Sequence, residues 1–199
     1  SRTAATLADN VQIIQAAGTA ITVQDLTLTG GVTSLNGGAI QATTLTLVGS
    51  TLTGNSAGLR GGGAYAQGNG TSLVVTDSTV SGNFAFAGGG LNTADGATIT
   101  NATIADNTAT TFGGGVVGTG LTVTSSTITG NHGGGQGGGL FTSTLVLTDS
   151  IVLGNTASTS GEALVGATQT LTGGNIVGAN VYAGATTVGS SSRSQPTEM

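Results

Sequence analysis

The sequence predicts an all-β chain wound as a single-stranded parallel β-helix, a β-solenoid of about seven coils of ~24 residues. Three observations predict it. A marker string recurs at nearly constant spacing, apolar and polar residues alternate within each repeat, and like residues fall into columns when the repeats are stacked.

The marker is a short string closing on asparagine. STLTGN ends at Asn55, STVSGN at Asn83, ATIADN at Asn107, STITGN at Asn131 and SIVLGN at Asn155, in steps of 28, 24, 24 and 24 residues. A weaker copy ends at Gly31, and NIVGAN ends at Asn180. After each marker comes a glycine-rich turn closing on an apolar residue: Ile40, Ala64, Leu91, Val116, Leu140 and, in the copy GEAL, Leu164. A fixed period of this length marks stacked units that cannot bury an apolar face alone.

Within a unit the period is two. In LTVTSSTITGN, Leu121 and Val123 alternate with Thr122 and Thr124, and Ile128 lies between Thr127 and Thr129. Such alternation belongs to strands with one buried face. Glycine, asparagine or aspartate follows each strand and supplies the positive φ of a tight turn.

Stacking aligns three apolar columns. One reads Val23, Leu47, Val75, Ile99, Val123, Leu147 and Leu171; a second reads Leu28, Leu52, Val80, Ile104, Ile128, Val152 and Val177; the third is the set that closes the glycine turns. Three columns imply three strands per coil around a narrow core, in a rod of roughly 35 Å at ~4.8 Å per coil. The column Asn55, Asn83, Asn107, Asn131, Asn155 and Asn180 is expected to form a structural hydrogen-bonded ladder, as stacked amides do.

Residues 1–20 lack a full unit and read as an incomplete first coil or N-terminal cap, residues 21–183 as the solenoid, and residues 184–199 as a polar tail. The 28-residue coil carries extra residues near Ala66–Gly70, expected to bulge beside Arg60 and Tyr65. Neither end has an amphipathic capping helix, and open strand edges pair with other chains. The chain is therefore expected to be a slice of a longer protein or, as the alternative, to stack into filaments.

Composition narrows the function classes. The chain has 38 glycines, one proline, no cysteine and only 6% charged residues, with 37% apolar content. Collagen and disorder are both excluded by this balance, and the lack of cysteine excludes disulfides and thiolate metal sites. The only basic residues besides one histidine are Arg2, Arg60 and Arg193, against a net charge of −5. That argues against nucleic acid as a partner, and no apolar run reaches the ~20 residues of a membrane span.

No catalytic constellation stands out. Asp25, Asp77 and Asp149 share one column, but with Gly49, Asn101 and Ser125 between them they lie ~10 Å or more apart. A retaining glycosidase needs two carboxylates about 5 Å apart. Asp95 and Asp106 sit at different turn positions. His132 is the sole histidine, in a glycine loop with no second nitrogen ligand, which argues against zinc. The glycine runs lack the lysine of a phosphate loop. The expectation is no cofactor; calcium on Asp95 or Asp106 and turn carbonyls is the one alternative kept.

Outward threonines form a second candidate feature. Thr27 and Thr29, Thr51 and Thr53, Thr79 and Ser81, Thr103, and Thr127 and Thr129 make a Thr-x-Thr array, with ~7 Å along a strand and ~4.8 Å between coils. Ordered hydroxyls at such spacing suit ice. Threonine also simply suits exposed strand positions, and the array fails at Ile151 and Leu153.

The alternation of S-T-x-x-G-N with G-G-G-aliphatic resembles the repeats of bacterial right-handed β-helix surface proteins, such as polymorphic outer-membrane and autotransporter-passenger proteins. The resemblance covers about residues 19–183. It implies a right-handed coil and an extracellular or cell-surface location. The function expected is a non-catalytic structural or adhesive module, a rigid rod that self-associates or meets polysaccharide. The alternatives are an ice-binding solenoid and a fragment of a polysaccharide lyase, hydrolase or epimerase.

Overall fold

Left-handed backbone turns cut the chain into short strands. Asp25, Asp77, Asn101, Ser125 and Asp149 have φ of 48–55°, and Gly49 takes the same place in its own coil at 57°. This explains the Asp/Asn/Gly/Ser column. Aspartate and asparagine tolerate the left-handed region better than other side chains.

The computed structural model describes residues 11–161, 164–178, 181–188 and 193–194. It is a parallel β-solenoid of about seven turns, with no helix among the described residues. All strand pairings are parallel. A long sheet takes Ile14–Gln24, Ile40–Val48, Val116–Thr124, Leu140–Thr148, Leu164–Thr172 and Val181–Val188. Two coils between these contribute split strands, Ala64–Ala66 with Thr71–Thr76 and Leu91–Thr93 with Gly96–Thr100. A middle sheet stacks Thr27–Thr29, Thr51–Thr53, Thr79–Ser81, Thr103–Ala105, Thr127–Thr129, Ile151–Leu153, Ile176–Val177 and Arg193–Ser194. A short sheet stacks Val32–Thr33, Ser56–Ala57, Phe84–Ala87, Thr108–Phe112, His132–Gly133 and Thr156–Ala157.

The apolar columns hold in register. Leu47, Val75, Ile99, Val123 and Leu147 follow one another along the long sheet, and Leu52, Val80, Ile104, Ile128 and Val152 along the middle one. All ten are fully buried. Each such side chain contributes about 1.5–3 kcal/mol when removed from water, and most of its neighbours belong to the coils above and below. Coils therefore stabilise each other.

Equating three apolar columns with three sheets needs correction. The column Ile40, Ala64, Leu91, Val116, Leu140 lies in the same long sheet as the Val23 column. The short sheet instead points Ala57, Ala85, Ala109 and Gly133 inward. Small side chains there let the short sheet close tightly on the core, and they carry no hydrophobic signal for sequence reading to find.

The expected segment boundaries also shift. The strand Ile14–Gln24 pairs with Ile40–Val48, so the sheet begins before residue 21. At the other end Val181–Val188 pairs with Leu164–Thr172, and Arg193–Ser194 with Ile176–Val177, carrying strands past residue 183. Residues 1–10 and 195–199 and Asn180 lie outside the described residues.

The insertion sits where expected. Between register-matched residues, one coil has Thr43 and Thr44, and the next has the segment from Gln67 to Ser72. Its first part keeps the ladder, with Gln67 N and Gly68 N donating to Ala42 O (3.0 Å) and Thr43 O (2.8 Å). Tyr65 is buried rather than displayed.

Candidate functional site

The asparagine column is an internal ladder. Asn55 Nδ2 donates to Asn83 Oδ1, Asn83 Nδ2 to Asn107 Oδ1, Asn107 Nδ2 to Asn131 Oδ1 and Asn131 Nδ2 to Asn155 Oδ1, each at 2.9 Å. Each oxygen also accepts the backbone N–H of the preceding asparagine at 3.0 Å. All five residues are buried, so the ladder cannot touch a ligand.

A second ladder runs beside it, one that sequence reading missed. Ser50 N donates to Ser78 Oγ (3.0 Å), Ala102 N to Ser126 Oγ and Ser126 N to Ser150 Oγ (both 3.1 Å), and Ser150 N to Asn175 Oδ1 (2.8 Å). The signal was present in the serine that opens the marker strings STLTGN, STVSGN and SIVLGN. Both ladders supply partners for backbone N–H groups at corners where the sheets stop.

The threonine array is in register. Thr27, Thr51, Thr79, Thr103 and Thr127 form one rank, and Thr29, Thr53, Ser81, Ala105 and Thr129 the other. All are exposed or half-buried. The next coil places Ile151 and Leu153 in these ranks, and the hydroxyl face ends there.

The carboxylates do turn work. Asn101 Nδ2 donates to Asp77 Oδ1 at 2.5 Å, and Gly174 N to Asp149 Oδ1 at 2.7 Å. Asp95 accepts from Gly70 N at Oδ2 (2.6 Å) and from Thr119 Oγ1 at Oδ1 (2.8 Å). The Gly70 N–H, then the Thr119 hydroxyl, hold its carboxyl below the usual aspartate range, against a smaller opposing effect of burial. Asp106 sits at its own left-handed turn, φ 55°. His132 is exposed on the short sheet, its Nδ1 2.9 Å from Thr156 Oγ1. Among the described residues no three His, Cys, Asp or Glu side chains gather as a metal group would need. No helix among the described residues is long and apolar enough to cross a membrane.

One concave site was not anticipated. A groove of about 460 Å³ opens where the short sheet turns into the long one. Its wall is a column across three successive coils, Arg60, Ala87 and Phe112. Its floor is a long-sheet column displaced by one coil, Asn92, Val117 and Phe141. Phe112 projects because the register shifts after Ala85 and Ala109, leaving an extra residue in the Thr108–Phe112 strand. The Phe112 and Phe141 rings sit 5.0 Å apart, tilted by 33°. Phe86, half exposed, adds a third ring to the lining. The sequence signal was that all four phenylalanines fall between residues 84 and 141.

No protein-family model, curated protein or solved structure matches this chain.

Proposed function

We propose that this chain is a non-catalytic structural and adhesive module of a secreted or cell-surface protein. It acts as a stiff rod that spaces or presents other surfaces and associates with polysaccharide or further copies of itself. The observation carrying this reading is the pair of ladders: the asparagine ladder runs coil after coil from Gly31 to Asn155, and the serine ladder runs from Leu26 to Ser78 and, past Ala102, which offers no side-chain acceptor, on to Asn175. Every coil is tied to the next by side chains as well as by sheet hydrogen bonds, as suits a rod that resists bending. The likeness of its repeats to bacterial β-helix surface proteins supports the same location and role. Incubation with an acidic polysaccharide such as polygalacturonate tests the non-catalytic reading: no new chain ends are expected. Their appearance, with loss on Asp77→Asn or Asp106→Asn, would overturn it.

A second reading rests on the five-coil register of the Thr-x-Thr face. Its hydroxyl ranks would bind ice. Thermal hysteresis removed by Thr127→Leu would favour it, and unaltered freezing behaviour at millimolar protein excludes it.

A further inference from the structure

The groove between the short and long sheets combines three features that structural packing alone does not require. The first is exposed aromatic surface. Phe86 and Phe112 are 50% and 41% exposed, and the Phe112 ring packs against Phe141 in the same lining. The second is a cation without a counter-ion. Arg60 is exposed, and among the described residues no carboxylate pairs with it, although the chain carries eight acidic residues. The third is a buried polar group facing the space. Asn92 is 4% exposed, lines the groove, and makes one long contact, Nδ2 to Ala87 O at 3.4 Å; no described donor reaches its Oδ1.

The space itself has a specific cause. Arg60 and Phe112 stand two coils apart, about 10 Å, and the residue between them in the column is Ala87. A small side chain in that place leaves a slot with a cation at one end and a ring at the other. A volume of about 460 Å³ falls within the range of small-ligand sites.

The lining selects the class of occupant. An extended peptide would need free backbone groups to pair with, but the backbone at the groove is already bonded to the coils on both sides: Ala87 N donates to Leu59 O, and Gly88 N to Phe112 O. A polyanion with closely spaced phosphates would meet one guanidinium on a chain of net charge −5. A sugar ring fits better. It offers an apolar face to aromatic rings and hydroxyls to Asn92, Thr119 and Ser143, and a carboxylate on it matches the planar fork of arginine.

We propose that this groove binds an acidic saccharide, seating a uronate ring against Phe86 and Phe112 with its carboxylate on Arg60. The site does not depend on the rod reading; a stiff spacer without any ligand would leave that reading intact.

Titration calorimetry with a trimer of galacturonic acid, and with its neutral methyl ester, tests the proposal on the full chain. The acidic trimer should bind at least about tenfold more tightly than the ester. Arg60→Gln should remove that preference, Phe86→Ala should weaken both ligands, and Ala87→Phe should abolish binding by filling the slot. Phe84→Ala, an exposed ring outside the groove, should change nothing. Arg60 and Phe86 are surface side chains, so their variants report on binding even if Ala87→Phe fails to fold. No binding of the acidic trimer at millimolar concentration, equal affinity for the ester, or binding that survives both Arg60→Gln and Phe86→Ala would overturn the proposal.

Discussion

Asp95 clasps the coil before it and the coil after it: its carboxylate accepts Gly70 N at 2.6 Å and Thr119 Oγ1 at 2.8 Å. Gly70 lies within the inserted segment, and Gly96 N donates back to Gly70 O at 2.8 Å. One side chain thus fastens the only long irregularity among the described coils to its neighbours. Asp95→Ala should speed amide exchange at Gly70 by about tenfold or more while leaving Ile99 and Val123 protected. Unchanged exchange at Gly70 would mean that the insertion holds itself.

The same contact sets a pH dependence. Its hydrogen bonds lower the Asp95 pKa in the folded state. The contribution is therefore present above the unfolded-state value and is lost as pH falls through the folded one. Loosening of the Gln67–Gly70 segment should begin only below the ordinary carboxylate range, and it should be absent in Asp95→Asn. Exchange at Gly70 followed from neutral pH into acid reads this directly.

Asn107 stands in the middle of the asparagine ladder. Its Oδ1 accepts Asn83 N and Nδ2, and its Nδ2 donates to Asn131 Oδ1 and Val80 O. Asn107→Ala leaves the Asn83 N–H buried without an acceptor and should cost about 2–4 kcal/mol. Thr127→Ala, on the outer face, should stay within about 0.5 kcal/mol. Denaturant midpoints at constant slope provide the comparison.

A defect in the core offers the opposite sign. Leu45, Leu73, Ala97, Leu121 and Leu145 lead in register to Gln169, which is fully buried with neither amide atom hydrogen-bonded. Gln169→Leu continues the apolar column and removes the unpaired amide. It should raise stability by about 1–3 kcal/mol.

The turn column predicts a smaller gain. Ser125 holds φ 49° where neighbouring coils place aspartate or asparagine. Ser125→Gly should stabilise by about 0.5–1 kcal/mol, the relief of left-handed strain less the greater freedom of glycine when unfolded. A loss of stability instead would mean that the serine side chain makes a contact worth more than the strain.

Much of this architecture was legible because stacking repeats the same demand at the same position. Leucine, valine and isoleucine mark the inward face of two sheets, asparagine marks the buried corner, and aspartate or glycine marks the left-handed turn. The short sheet was not legible, since its inward Ala57, Ala85 and Ala109 give no contrast with their surroundings. The groove was hidden for a different reason. It depends on Ala87 falling between Arg60 and Phe112 in space, on three coils, and on a one-residue register shift that the 24-residue repeat does not announce. Ladders read from a column; a cleft arises where a column is broken.

Rigid stacking is the central claim, and one distance tests it most directly. The chain has no cysteine, so spin labels placed by Thr27→Cys and Ile176→Cys are unique. Both residues are exposed, and they are joined through Thr51, Thr79, Thr103, Thr127 and Ile151 along one rank of the middle sheet. Pulsed electron–electron resonance should give a single narrow distribution of about 29 Å between the backbone positions, six steps of about 4.8 Å. A broad distribution, or a separation that departs from this by more than the reach of the labels, would contradict a continuous stack of coils.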